Sequence, residues 1–234
     1  MPLTVSQGEL ERIVYAYHHD PFEVLGAHEV ELKGRKAVAI RAFLPYTQQV
    51  WAVLRDGAEH ALERVTGTDF FEGVIPLSGK GAVAAFFGEG GAASAYQLRR
   101  IEKDGRELVA ADPYSFLPVL GDLDLQLFNE GTHYRTYNKL GAQVITHQGV
   151  RGVAFAVWAP NAKRVSVIGD FNQWDGRIHP MRIRGSSGIW ELFIPGLAEG
   201  AIYKYEIKTQ YDALLQKTDP HGFYAEMRPK TASI

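Results

Sequence analysis

The sequence lacks several features that would define its class at once. It contains no cysteine, which excludes disulfides, thiolate nucleophiles and zinc sites with cysteine ligands. Its longest run without a charged residue, 42–54, is too short to span a bilayer. Neither sign of charge is in excess, since 25 basic and 27 acidic residues give a net charge of −2, so nothing favours nucleic acid or an anionic membrane as partner. The first eight residues lack the basic and apolar regions of a secretory signal, and we expect a cytoplasmic protein.

The composition is that of a folded protein. Of its 234 residues, 46% are hydrophobic and 22% are charged, both close to the globular average. This length is typical of one or two domains.

Helix signals are concentrated at the start of the chain. Ser6 and Glu9 have the spacing of a capping box, and apolar residues follow at helical intervals. The segment 20–23 predicts a second short helix, which Gly26 would end. Short β-rich runs separated by glycine-rich turns follow, at 38–43, 50–54, 153–158, 165–168, 189–194 and 202–207. This pattern predicts β-sandwich structure.

An internal repeat indicates two copies of one module. Residues 25–27 match 140–142 at an offset of 115, residues 71–76 match 190–195 at 119, and residues 96–116 match 203–223 at 107. The order of the blocks is kept while the offset drifts, as loop insertions and deletions produce. We therefore predict an all-β protein of two tandem immunoglobulin-like β-sandwiches, 1–118 and 119–234, preceded by a short helical segment. The connector runs from Leu117 to about Gly141.

No catalytic or metal-binding motif is visible. The sequence has no nucleophile elbow, zinc-protease helix or phosphate-binding loop, and the glycine-rich segment 88–91 is predicted to be a turn. Adjacent His18 and His19 would point about 100° apart in a helix and would not share one ion. No carboxylate pair is placed for glycosidic chemistry. We expect neither metal nor cofactor.

The best candidate site is the segment 169–176, which follows a predicted strand. Trp174 offers a flat apolar face beside polar residues such as Asn172, and sugars need both a stacking surface and hydrogen-bonding partners. The alternative interpretation, equally supported by the residue types, is that Trp174 caps the end of the sandwich core. In the strand 202–207, Tyr203 and Tyr205 share the face expected to be core, which places Lys204 on the outer face. Lys204 there is either a sugar contact or an ordinary surface residue.

Several ordered motifs carry a family resemblance over essentially the whole chain. They are DPFEVLGAH at 20–28, ADPY at 111–114, NEGTHYR at 129–135, VWAPNA at 157–162, GDFNQWDG at 169–176 and DPHGFY at 219–224. With them the chain resembles the amino-terminal part of bacterial glycogen branching enzyme, of the α-amylase superfamily. The resemblance implies an N1 module followed by a starch-binding-type module of the carbohydrate-binding module 48 kind. It also implies a catalytic (β/α)₈ barrel as partner, which needs about 250 further residues and is absent from this sequence.

The resemblance also implies glucan contacts. In glycogen-binding relatives they come from a tryptophan like Trp174, a lysine like Lys204 and an aromatic seven residues later, here Tyr211. Glycogen-targeting modules carry tryptophan at that last position, and the segment 212–218 is longer here.

Three functions follow as hypotheses. The first is a non-catalytic module that binds or positions α-1,4-glucan for the barrel, with candidate contacts Trp174, Lys204, Tyr211 and Asn172. The second is a structural scaffold without glucan affinity, and the third is an enzyme that branches glucan by itself. We favour the first, and we expect a monomer that is inactive alone and binds glycogen.

Overall fold

The computed structural model describes residues 3–32, 34–77, 81–88 and 91–234. The chain separates into two compact units. The first comprises Met1–Tyr15 and Phe22–Leu117, and the second comprises Ala16–Pro21 and Pro118–Ile234. Antiparallel strands dominate both units, and the predicted all-β fold is confirmed.

The first unit contains two helices, α1 (Gln7–Val14) and α2 (Ala82–Phe87). Its strands are β1 (Gly26–Leu32), β2 (Arg35–Phe43), β3 (Thr47–Leu54), β4 (Glu59–Arg64), β5 (Phe70–Pro76), β6 (Tyr96–Glu102) and β7 (Glu107–Ala110). The second unit contains helix α3 (Asp122–Asn129) and strands β8 (Gly141–His147), β9 (Val150–Trp158), β10 (Ala162–Gly169), β11 (Arg182–Ile183), β12 (Ile189–Pro195), β13 (Tyr203–Thr209) and β14 (Leu214–Lys217). Short 3-10 turns lie at Pro21–Glu23, Ala92–Ser94, Pro113–Ser115, Thr136–Asn138 and Asp170–Asn172.

In the first unit the strands form one continuous seven-stranded sheet, in the order β1-β2-β5-β4-β3-β6-β7. Strand β4 pairs with β3 over its first half and with β5 at its end, so it joins two groups of strands. The core consists of buried side chains of these strands, among them Val38, Ile40, Val50, Phe71 and Tyr96. Strands β2 and β5 are buried along most of their length and supply much of this core.

In the second unit, one sheet has the order β11-β12-β9-β8 and the other has the order β10-β13-β14. The segment 180–183 joins them, because Pro180 bridges to Ser166 in β10 while β11 pairs with β12. Phe155, Val165, Tyr203 and Tyr205 are almost completely buried. This arrangement positions the outer face of β10 and β13, where the candidate site lies.

The two units repeat one another in detail. Helices α1 and α3 are 115 residues apart, and so are the 3-10 turns Pro21–Glu23 and Thr136–Asn138. Tyr96 donates to Asp112 at 2.6 Å, and 107 residues later Tyr203 donates to Asp219 at 2.7 Å. The structure thus extends the repeat beyond the strands, to the helix that leads each copy.

A pair of glycines shows why the repeat keeps its conformation. Gly26 and Gly141 begin β1 and β8 with φ of 91° and 92°. A Cβ on Gly26 would lie 2.5 Å from the carbonyl oxygen of Tyr114, and one on Gly141 would lie 2.9 Å from that of His221. Only glycine fits both the left-handed φ and the close approach. The prediction that Gly26 ends a helix was therefore wrong, because it starts a strand.

Other helix predictions need correction as well. The helix at Ser6 is confirmed, with the Ser6 hydroxyl accepting from the Glu9 amide, but the segment 20–23 forms only a 3-10 turn. Helices were expected only at the start of the chain, yet α2 and α3 lie further along, and α3 occupies the presumed connector. His18 and His19 follow α1 outside any helix, and their rings stack 5.3 Å apart, so the argument from helix geometry was wrong. Of the predicted turn at 88–91, Glu89 and Gly90 lie outside the described residues.

Candidate functional site

The candidate loop begins where β10 ends, at Gly169. A 3-10 turn, Asp170–Asn172, is followed by two successive residues in the left-handed region, Gln173 with φ of 57° and Trp174 with φ of 59°. Left-handed backbone is uncommon for residues other than glycine and costs on the order of 1–3 kcal/mol at each position. Surrounding contacts must therefore hold the loop, and such strain is concentrated at functional sites.

Asn172 provides much of that support from beneath the loop. Its side chain is buried, its Oδ1 accepts from the Gly169 amide at 2.9 Å, and its Nδ2 donates to the Val167 carbonyl at 2.8 Å. Nδ2 also lies 2.9 Å from Nδ1 of His179. Because the amide is engaged inside the protein, Asn172 shapes the loop rather than presenting a free polar group.

Trp174 lies at the top of the loop and is half-buried. Its backbone amide donates to the Gly169 carbonyl at 2.9 Å, and its indole Nε1 donates to Oδ1 of Asp170 at 2.8 Å. The neighbouring Phe171 stacks on the core residue Phe155, with ring centroids 6.4 Å apart. Phe171, and not Trp174, thus takes the place at the end of the core, and the indole is fixed by its polar edge.

The far end of the loop is clamped to the outer face of β13. Arg164 donates from Nη1 to the Gly176 carbonyl at 2.9 Å and also pairs with the Glu206 carboxylate. Any Cβ on Gly176 would overlap that carboxylate. The loop is therefore anchored at both Gly169 and Gly176.

Lys204 lies on the same face of β13 as Glu206, next to the start of the loop. It pairs in register with Ile168, one residue before Gly169, and its side chain is half-buried. Among the residues that the structure describes, Lys204 forms no ion pair. It thus supplies an uncompensated positive charge and three N–H donors near Trp174.

Tyr211 lies elsewhere. It is 94% exposed in the turn after Thr209, and the Thr209 hydroxyl accepts from its amide at 3.3 Å. In the ladder Thr209 pairs with Ala162, at the opposite end of β10 from Gly169. A seven-residue strand spans about 20 Å. The structure therefore brings Trp174, Asn172 and Lys204 together and places Tyr211 about one strand length away.

A second aromatic residue near Tyr211 was missed from the sequence. Tyr17 is 41% exposed, and Nζ of Lys208 lies 5.7 Å from its ring centroid. Lys208 also pairs with Asp212, the residue after Tyr211. No local pattern reveals this, because Tyr17 and Lys208 are far apart in the chain and meet only in the fold.

Neither a metal cluster nor a membrane-spanning helix occurs within residues 3–32, 34–77, 81–88 and 91–234. They contain no group of three or more histidine or acidic side chains placed to hold a metal ion. They also contain no helix with the length and apolar character needed to cross a membrane.

Comparison with known families assigns the two halves of the chain separately. Residues 6–114 match the N-terminal domain of alpha-1,4-glucan branching enzyme GlgB, and residues 139–222 match carbohydrate-binding module 48, the isoamylase N-terminal domain. A β-sandwich that displays a fixed tryptophan on its outer face is thus part of a module of the carbohydrate-binding class.

Whole-chain relatives agree with this assignment. The 1,4-alpha-glucan branching enzyme GlgB of Thermosynechococcus vestitus is 50% identical over 99% of this chain, and that of Trichormus variabilis is 48% identical over all of it. The GlgB of Paramagnetospirillum magneticum is 48% identical over 98% of the chain. The chain therefore belongs to the glycogen branching enzyme family, as the N-terminal region of GlgB. It spans under a third of the length of these curated relatives, 29% in each case.

Proposed function

We propose that the second unit binds α-1,4-glucan on the outer face of β10 and β13, with Trp174 at the centre. The observation that carries the proposal is the fixed indole. Its Nε1 is held by Asp170 on a strained loop, while Phe171 fills the core position that Trp174 would otherwise take. A sugar ring presents C–H groups that stack on such a face.

Polar contacts complete the proposed site. Lys204 is free to donate to glucose hydroxyls next to Trp174, and Asn172 serves by holding the loop in shape. Tyr211 would be reached only by a chain of several sugar units, because it lies at the other end of β13. The site therefore favours an extended glucan over a single glucose.

The role in the larger enzyme is part of the same proposal. Residues 1–118 would form an N1-type module and residues 119–234 a carbohydrate-binding module, in a cytoplasmic, monomeric branching enzyme of the glycogen pathway. This region would present α-glucan chains to a catalytic barrel, and the 234-residue chain alone would be inactive. The family models support the module identities, and the greater length of the relatives supports the further partner domain.

Native affinity electrophoresis, with and without glycogen in the gel, tests binding directly. We expect glycogen to retard the parent chain and Trp174→Ala to migrate freely, because stacking contributes about 0.5–1.5 kcal/mol beyond area burial. Affinity for one module should be weak, with a Kd of tens of micromolar or poorer. Lys204→Ala should show intermediate retardation.

The control is Trp158→Ala, which removes a second tryptophan of the same unit, one that is 55% exposed. It should be retarded like the parent. If glycogen retards neither the parent nor Trp174→Ala, the chain is a scaffold without glucan affinity, and equal retardation of both would place the glucan contact away from Trp174. An iodine-stain assay that shows amylose branching by this chain would contradict its predicted inactivity.

A further inference from the structure

The second unit contains an apolar cavity away from the Trp174 loop. Its volume is about 400 Å³, and it opens beside β8 and the connection between β12 and β13. Its lining is mainly apolar and includes Ala142, Val153, Phe155, Tyr203, Phe223 and Ile234. Phe223 is 67% exposed there. A space this large and apolar is poorly suited to water or to the hydroxyl groups of a sugar.

The first unit shows the same place filled. At the repeat offsets, Ala142, Val153, Phe155 and Tyr203 correspond to Ala27, Val38, Ile40 and Tyr96. These four residues belong to or pack against the core cluster that also receives Phe86 and Phe87 of helix α2. The ring of Phe86 stacks on that of Tyr96 with centroids 6.3 Å apart. In the first copy, helix α2 therefore fills the position that is open in the second copy.

The second copy has no counterpart of helix α2 between β12 and β13. The connection between β5 and β6 covers residues 77–95, whereas the equivalent connection between β12 and β13 covers only residues 196–202. The missing length accounts for the change of repeat offset from 119 to 107. Phe116, the counterpart of Phe223, is 2% exposed in the first copy, so the second copy also leaves an aromatic ring uncovered.

We infer that this cavity, the α2-equivalent cavity, is a docking site for a helical segment carrying an aromatic side chain from elsewhere in the same polypeptide. The occupant's chemistry follows from the first copy, where a short apolar helix with two phenylalanines fills the same wall. That the segment comes from the same polypeptide rests on the proposed function, in which this region is one part of a branching enzyme. The relatives are more than three times as long as the chain and so contain further segments.

Transplantation of the loop that contains helix α2 tests whether the cavity accepts such a helix. In the 234-residue chain, residues 196–202 are replaced by residues 77–95, and a matched variant carries alanine in place of the transplanted Phe86. We expect the phenylalanine form to melt about 5 °C or more above the alanine form, because a buried aromatic ring is restored. Equal melting temperatures would overturn the match between cavity and helix.

Hydrogen–deuterium exchange tests the docking itself. The 234-residue chain is compared with a complete branching-enzyme relative in which the aligned region is replaced by this chain, and branching activity confirms that the hybrid folds. We expect amides of 141–144 and 198–203 to exchange at least tenfold more slowly in the hybrid, while those of β6 and β7 keep their rates. Unchanged exchange at the cavity would refute docking. The exchange samples contain no glucan, so the docking result does not depend on glucan binding at Trp174. The glycogen gel tests the Trp174 site separately.

Discussion

Asp112 is a residue whose ionisation should be visible in the stability of the first unit. Burial raises the pKa of this carboxyl to about 6, although hydrogen bonds from Tyr96 and from the Tyr114 amide oppose the rise. In the unfolded chain the pKa is about 3.9. The folded state therefore binds the proton more tightly, and the stabilisation from protonated Asp112 is complete below about pH 4 and lost as the pH rises through 6. The loss amounts to about 3 kcal/mol at most.

Asp112→Asn should remove this dependence, because the side-chain amide carries no charge and does not titrate, while its one oxygen keeps one of the two accepted hydrogen bonds. Urea unfolding at pH 4 and pH 7.5 measures it. Relative to the parent, the variant should gain free energy of unfolding at the higher pH. Asp122→Asn, at an exposed position, is the control and should follow the parent. Parallel pH profiles for the parent and Asp112→Asn would show that Asp112 does not titrate in this range.

Residue types predicted the candidate site only in part. The aromatic residue of the loop and the outer-face position of Lys204 follow from local pattern, since strand alternation fixes which side chains share a face. The inward role of Asn172 does not, because its partners Val167 and His179 are selected by the folded loop. The neighbourhood of Tyr17 and Lys208 is equally invisible, since it joins distant parts of the chain.

Among the elements, helix α3 depends on one buried carboxylate. Glu191 in β12 accepts hydrogen bonds from the Val119 and Leu120 amides, just before the helix, and from Arg184 at 2.7 Å. Its side chain is 3% exposed, and Arg182 lies beside it at 3.3 Å. Glu72 does the same for Thr4 before α1, with Arg41 as its cation. The segment leading into each helix is thus fixed by an acidic residue in a strand.

Glu191→Gln should destabilise the second unit by about 3–5 kcal/mol, because the guanidinium groups of buried Arg182 and partly buried Arg184 lose the charge of Glu191. Chemical denaturation followed by circular dichroism measures this loss. The matched control Glu130→Gln, at the exposed end of α3, should change the free energy of unfolding by less than about 0.5 kcal/mol. Similar small effects for both variants would show that Glu191 does not anchor the helix.

Helix α3 also shows which kind of element the sequence did not predict. Strands were found because β-branched and aromatic runs between glycine turns are a strong local signal. Helix α3 lies in the segment predicted as a connector, since that segment falls between the two repeated blocks. The structure shows that none of its residues is fully buried and that its first turn carries two acidic residues. Its stability comes from contacts of Leu125 and Phe128 with buried strand residues, which periodicity over eight positions does not reveal. Comparison with α1 at the offset of 115 would have identified it.

For the whole molecule, duplication explains both what is shared and what differs. The copies share the leading helix, the strand that joins the sheets and the buried tyrosine–aspartate pair. They differ in two connections. The first copy has the long β5–β6 connection with helix α2. The second has the Trp174 loop, where the rise of the repeat offset from 115 to 119 marks four residues more than in the first copy. Because insertions in surface loops cost little stability, each copy can have acquired its own feature on one scaffold.

This difference predicts that glucan protects one copy only. With maltoheptaose at ten times its Kd, binding should add about 1.4 kcal/mol to the free energy of opening, which slows exchange about tenfold for the amides of β10 and β13. The equivalent amides of β3 and β6 provide an internal control, since the turn at 55–58 has no tryptophan to stack on a sugar. Hydrogen exchange with mass spectrometry measures both sets in one sample. Trp174→Ala should abolish the protection, and equal slowing in both copies would contradict a single site at this loop.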